Sequence, residues 1–410
     1  MRQQVLRTAA ILVVALALVK LGSIAVAGQT QPTAAKTTTA TKTDFTSKTA
    51  WGEPDLQGIW TYEYQIPLQR PVEFAGKESF TDAEIAQLDK QRATLKRRDA
   101  RAARGSEADV SGAYNSVFNN FYHTGRRTSL IVDPPDGRIP SFTPAVVERM
   151  KKDREFQLAL IQATEVCKKQ EAGCAGWKYG PPSPKRAEAP PSYVTGAVNR
   201  ADGPEDRNAA ERCLMGGLPD FGSPHNVFGG NYRRIVQSPG QVSLFLDYGQ
   251  GQGFHRAIPV TTNPHLPSNI RQWWGDSRAH WEGHTLVVDV TNFTAKADYQ
   301  GSRENLHLIE RWTRTGPNTL DYVVTMDDRT TWTKPWTVKQ ELVKQPDEPN
   351  RIYSEPRCHE GNYALGAILA GARTADKAFA EGRGPDPATT CGGTGCGGGG
   401  GGEETRDPIQ

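Results

Sequence analysis

From Asn231 to Lys344 apolar and polar positions alternate in short runs, and each run ends at a turn signal. The clearest are Gln241–Asp247, Thr285–Thr291, Leu306–Trp312, Leu320–Met326 and Trp336–Leu342. A period of two sends successive side chains to opposite faces of a strand. Strands at roughly 8–12-residue spacing, with no long helix between them, predict an antiparallel sheet closed into a barrel or folded into a sandwich. The expected fold is therefore mainly β, with peripheral helices.

The N-terminal half is more mixed. Residues 51–60 lead into Thr61–Tyr64, which alternates like a first strand. Thr81 and Glu84 form a capping box before a helix expected to reach Arg104 and stop at Gly105. Ser129–Val132 reads as a short strand with the turn Pro134-Pro135-Asp136-Gly137 behind it. Thr143-Pro144 opens a helix expected to reach Val166. Cys174–Pro204 is polar and rich in Pro and Gly, as a long surface loop would be, and a last helix is expected from Asn362 to Phe379.

The two ends change the picture. Arg2 and Arg7 precede the apolar run Thr8–Val19, and Ala25-Val26-Ala27 supplies small residues for cleavage, so residues 1–27 read as a signal peptide. The run is shorter than the roughly 18 residues of a membrane span. Residues 28–50 read as a disordered linker, 51–210 as a strand and helix extension packed on the core, 211–382 as the antiparallel core with its C-terminal helix, and 383–410 as a Gly-rich flexible tail. Cleavage would place the mature chain in the periplasm or outside the cell, with no membrane span. It would also remove three of the 49 basic side chains, leaving 46 against 46 acidic ones. A chain near neutrality has no electrostatic reason to seek nucleic acid or anionic lipid.

Six cysteines in an exported chain read first as disulfides. Cys167 with Cys174, and Cys391 with Cys396, are close enough for small loops. Cys213 and Cys358 then remain, and a bridge between them would bracket the strand region, although spacing alone does not fix connectivity.

Candidate chemistry comes from the strand faces. Val242, Leu244, Leu246, Leu286, Val288, Val290, Leu306, Leu308, Trp312, Leu320, Tyr322 and Val324 make an ordinary core set. Glu310 is the odd charge on that face and is expected to pair with a nearby arginine such as Arg314. The opposite face mixes Phe245, Val287, Ile309 and Val323 with Asp247, Asp289, His307, Arg311, Thr325 and Asp327. A carboxylate, an imidazole and a guanidinium on one face can serve proton transfer or hold a polar ligand, so His307, Asp289 and Arg311 are the candidate catalytic set. Asp247, Thr325, Asp327, His359 and Glu360 are candidate ligand contacts. The bland alternative is a solvated face with cross-strand ion pairs.

His280-Trp-Glu-Gly-His284 has metal-ligand residue types, but Gly283 between two apolar runs marks a hairpin tip, so no metal is expected there. Cys358-His359 has the composition of a thiol–imidazole pair, yet a disulfide suits an oxidising compartment better. Tryptophans 273, 274, 281, 312, 332 and 336 crowd the strand region, as an aromatic ligand lining or a large core would require.

Several motifs in order carry a resemblance. They are Arg127-Thr-Ser-Leu-Ile-Val-Asp-Pro-Pro-Asp-Gly-Arg-Ile-Pro140, Gly275-Asp-Ser-Arg278, Trp281-Glu-Gly283 with Thr285-Leu-Val-Val-Asp289, Glu310-Arg-Trp-Thr-Arg314, Thr333-Lys-Pro-Trp-Thr337 and Cys358-His-Glu-Gly-Asn-Tyr363. From Trp51 to Lys377 the chain resembles a group of uncharacterised exported bacterial proteins, which has no established activity and so lends no catalytic residues. The resemblance implies Asp where His284 stands here. Gly58-Ile59-Trp60 separately resembles the entry motif of lipocalins, so a lipocalin-like barrel is among the forms expected.

No nucleophile elbow, P-loop, dinucleotide fingerprint, zinc-protease motif or haem-attachment motif occurs, and no cofactor is expected. Three functions remain open. The first is an exported β-barrel that binds a small molecule. The second is a cofactor-independent hydrolase, lyase or isomerase using a His/Asp/Arg site. The third is a structural interaction module of the cell envelope.

Overall fold

Alternation becomes burial once the strands pair. The computed structural model describes residues 45, 47–95, 123–192, 199–207, 212–214, 218–219, 229–249, 252–345 and 363–391. The main strands are β1 (Gly58–Thr61), β4 (Ile131–Asp133), β5 (Gly229–Ser238), β6 (Gln241–Gly249), β7 (Gln252–Pro259), β8 (Asp276–Glu282), β9 (Thr285–Thr291), β10 (His307–Gly316), β11 (Thr319–Asp327) and β12 (Trp336–Lys344). They form one antiparallel sheet in the order β7-β6-β5-β1-β12-β11-β10-β9-β8, with β4 laid on β12. The two ends of that order meet where Val260, just past β7, bridges Ala279 of β8 in parallel, so the sheet nearly closes into a barrel. Thr261 N–H donates to the Ala279 carbonyl at 2.9 Å on the same seam.

Register fixes which side chains share the interior. One cross-strand row runs Trp281, Leu286, Trp312, Tyr322, Gln340, and the next runs Ala279, Val288, Glu310, Val324, Val338. The core set expected from alternation is buried throughout, joined by Trp60, Met326, Trp336 and Leu342. Trp60 is pinned at the start of the barrel by its indole N–H, which donates to the Leu56 carbonyl at 2.9 Å, and the Arg314 guanidinium lies over its ring. Gly58 has φ +145°, and a Cβ there would meet Lys344 Cε at 2.9 Å, so the strand entry needs glycine.

The helices are peripheral. The first, α1 (Asp82–Leu95), has the expected capping box: Thr81 N–H donates to Glu84 at 2.7 Å, and Glu84 N–H returns to Thr81 Oγ1 at 3.3 Å. Lys77 and Thr81 hold the Glu84 carboxyl down to about 2. The second, α2 (Pro144–Ile161), ends earlier than expected. Thr164 takes an extended backbone, with its hydroxyl bonded to the Ile161 carbonyl, and restarts the chain as α3 (Glu165–Lys168). Cys167 and Cys174 are joined in a disulfide, as their spacing suggested. The last helix, α4 (Ala364–Ala380), lies close to its expected place. Among the described residues no helix is long and apolar enough to cross a membrane.

Three expectations need adjustment. The first strand stops at Thr61, and Tyr64–Gln65 (β2) instead pairs in parallel with His123–Thr124 (β3). Defined structure begins before Trp51, because Thr49 and Trp51 both bond to Glu53 and Lys48 bridges Pro54. At the other end, residues 383–391 are held too: Asp386 caps a short turn at Ala388 N–H, and Asn199 donates to the Ala388 and Thr390 carbonyls. The expected signal peptide, most of the linker, Cys358, His359, Glu360, Cys396 and the tail beyond Cys391 lie outside the described residues.

Candidate functional site

Two polar clusters stand out, one on each face of the barrel wall. The outer one starts from Asp289 on β9. Its Oδ1 accepts from His307 Nε2 at 3.0 Å and faces His265 Nε2 at 3.2 Å. His265 belongs to the segment between β7 and β8, and its Nδ1 lies 2.9 Å from Asp276 Oδ2. A carboxylate, an imidazole, a second carboxylate and a second imidazole thus stand in line: Asp276, His265, Asp289, His307.

Local sequence explains the placement. Gly275 has φ +67° and packs so closely that a Cβ would stand 2.7 Å from the Thr291 carbonyl, which lets β8 begin flush against β9. Asp276 then straps the preceding segment down, accepting Leu266 N–H at 2.9 Å and pairing with Arg278 Nη1 at 2.9 Å. Asn292 adds a bond to the Leu266 carbonyl at 2.7 Å. The strap carries His265 over Asp289. The motif Gly275-Asp-Ser-Arg278 is therefore a device for holding that segment on the barrel wall.

Electrostatics follow from the hydrogen bonds. The bond from His307 holds the Asp289 carboxyl below its ordinary range against partial burial, and nearby His265 adds to this. The same bond raises His307 above the ordinary imidazole value, outweighing desolvation, and Asp327 across the β10–β11 pair assists. Both side chains remain accessible, at 41% for His307 and 38% for Asp289. Asp289 orients His307 as a carboxylate orients a general base.

The inner cluster is the one sequence reasoning missed. Glu310, fully buried on β10, accepts from the Tyr322 hydroxyl at 2.7 Å and stands 2.6 Å from Arg256 Nη2. Arg256 also donates to Ser277 Oγ from Nε at 3.0 Å and Nη2 at 2.8 Å. It therefore reaches from β7 across the seam to β8 and β10. Arg233 and Gln340 are further buried polar side chains at inward positions. The ion pair expected for Glu310 exists, but its partner is Arg256 and not Arg314. Arg314 is engaged elsewhere, 3.2 Å from Asp55 and over the rings of Phe45 and Trp60.

The structure brings together two of the three candidate catalytic residues. Asp289 and His307 touch, whereas Arg311 lies four residues further along β10 and pairs with Glu282, which His280 also contacts at 3.2 Å. Four residues of strand span about 13 Å, so Arg311 belongs to the hairpin end and not to the Asp289 cluster. The hairpin turns at Gly283-His284, with φ +60° at Gly283. It begins late enough that His280 and Glu282 still share a face. Among the described residues no group of three or more His, Cys, Asp or Glu side chains is arranged to hold a metal.

Thr325 shares a hydrogen bond with Thr337 at 2.9 Å, and Asp327 holds Arg329 at 3.0 Å. Asp247 sits on β6 opposite Tyr232 and Gly253, away from β9 and β10 in the sheet order. His359 and Glu360 lie outside the described residues. His265 and Asp276 carry no strand signal of their own, and only the Asp-Ser-Arg motif marked their neighbourhood.

No family model matches the chain, and no curated protein matches it. Among solved structures it is similar to a secretary abundant heat soluble (SAHS) protein from Ramazzottius varieornatus, with 12% identity and a TM-score of 0.20. That match covers 28% of this chain and 74% of the other. A likeness so slight carries no inference about fold or function.

Proposed function

We propose that this is an exported β-barrel protein that binds a small polar molecule in its interior. The observation that carries the reading is the buried Arg256–Glu310 pair with its Tyr322 and Ser277 contacts. Removing two charges from water costs several kcal/mol each, and an apolar pair of similar volume would often be as stable or more so. Polar groups kept at that cost inside a barrel are what a ligand site requires. Buried Arg256 Nη1 and Gln340 Oε1 have no hydrogen-bond partner, so the network has unused capacity. Export is supported by the leader-like N-terminus and by the Cys167–Cys174 disulfide.

Native mass spectrometry of the protein isolated from its own envelope tests the reading. We expect a bound mass at one per chain that leaves on denaturation. A bare polypeptide mass, with no thermal stabilisation by envelope small-molecule extract, would count against it.

The Asp289–His307 bond favours a second reading, an acid–base enzyme working on the outer face. Hydrolysis of 4-nitrophenyl acetate above the buffer rate that disappears in His307→Ala would support it. Equal rates for the two proteins would remove it.

A further inference from the structure

We infer that the interior site takes a compact planar molecule rich in hydrogen-bond acceptors, an aromatic carboxylate being the simplest case. The inference rests on the interior-binding reading and gives it a ligand class.

Around Glu310 and Trp312, unused donors outnumber unused acceptors. Trp312 is 1% exposed and Arg256 4%, and neither Trp312 Nε1 nor Arg256 Nη1 has a partner. Trp281, half-buried, adds a third buried N–H without one. On the acceptor side stand Gln340 Oε1, without a hydrogen bond, and Glu310 Oε2, held 2.6 Å from Arg256 by their ion pair. Buried donors in folded proteins are nearly always satisfied, so these call for acceptor atoms brought by something else.

Trp312 and Glu310, which Arg256 reaches, stand two residues apart on the inward face of β10, while Trp281 and Gln340 share the Trp312 row two strands away on either side. Successive rows on one face are about 7 Å apart, the scale of a single six-membered ring with one substituent. Trp312 stacks on Tyr322 with ring centroids 4.1 Å apart, so one wall of the region is aromatic and suits a flat partner. Arg256 meets Glu310 through Nη2 and keeps Nη1 without a partner, so a ligand carboxylate has a cationic donor to meet. A ligand ammonium would add donors where donors are in excess.

Three probes of similar size separate the possibilities: benzoate, toluene and benzylammonium, each titrated into the full chain and into Trp312→Phe. Tryptophan emission and thermal shift are the readouts. We expect saturable one-to-one binding of benzoate, at least tenfold tighter than toluene, and none of benzylammonium. Trp312→Phe keeps an aromatic ring but removes the indole N–H and part of the ring system, so it should weaken benzoate roughly three- to tenfold more than it weakens toluene. A merely structural role for Trp312 would weaken both probes alike. Equal binding of benzoate and toluene, tighter binding of benzylammonium, or equal loss of benzoate and toluene in Trp312→Phe overturns the acceptor-rich class while interior binding stands. Binding of none of the three overturns interior binding itself.

Discussion

At the scale of single residues, the bond between His307 and Asp289 ties protonation to stability. The folded His307 pKa is raised, so its contribution is complete below the ordinary value near 6.5 and is lost as pH rises through the higher folded value. The folded Asp289 pKa is lowered, so its contribution is present above the ordinary 3.8 and is lost as pH falls through the lower folded value. The pair is therefore best formed between those limits, and its half-exposed setting keeps the energy small. In Asp289→Asn the His307 midpoint, followed by its ring proton shift in NMR, should move down. An unchanged midpoint would mean that the bond does not form in solution. Asp289 and His307 were legible in the sequence because both fall on the polar face of strong strands. Their other partners were not, because His265 comes from a segment without periodicity and reaches Asp289 only through the strap that Asp276 and Asn292 tie. The position of Arg311 misled because a shared face says nothing about distance along the strand.

Elements became readable in proportion to how apolar their inward positions are. Strands β6, β9, β10, β11 and β12 alternate cleanly and lie where the pattern put them. Strands β5 and β7 place Arg233 and Arg256 at inward positions, which hides the period of two. The same substitution of charge for hydrocarbon concealed the interior cluster, so the missed strands and the missed site have one cause. Between β7 and β8, a glycine lets the strap that Asp276 and Asn292 tie close against β9. Gly275→Ala would force a side chain into positive φ and against the Thr291 carbonyl. We expect a loss of about 2–3 kcal/mol, read as a lower urea midpoint. The strap should loosen with it, exposing the Leu266 amide to faster hydrogen exchange. Wild-type stability in the variant would show that the close approach relaxes cheaply.

For the whole molecule, two long-range links bear on stability, an expected disulfide and an ion pair. Cys213 is disulfide-bonded, and Cys358 is its expected partner. Closing that loop would remove about 5 kcal/mol of unfolded-chain entropy in the simplest model. Non-reducing peptide mapping should recover Cys213 joined to Cys358, and recovery with Cys396 would assign the bridge differently. The ionic link is Arg256 with Glu310, tying β7 to β10 across the seam that the backbone crosses at the Val260–Ala279 bridge. Here stability and function make opposite demands. Arg256→Met alone strands a buried carboxylate and should cost about 3–5 kcal/mol, and Glu310→Leu alone should cost a similar amount by stranding the guanidinium. The double variant removes both charges and their desolvation cost, so its urea midpoint should return to the wild-type value or exceed it. If the pair is kept for binding, that restored protein should no longer hold the envelope ligand or prefer benzoate over toluene. A double variant as unstable as either single one would instead make the ion pair a structural latch on the seam, and the case for a polar interior site would lose its main support.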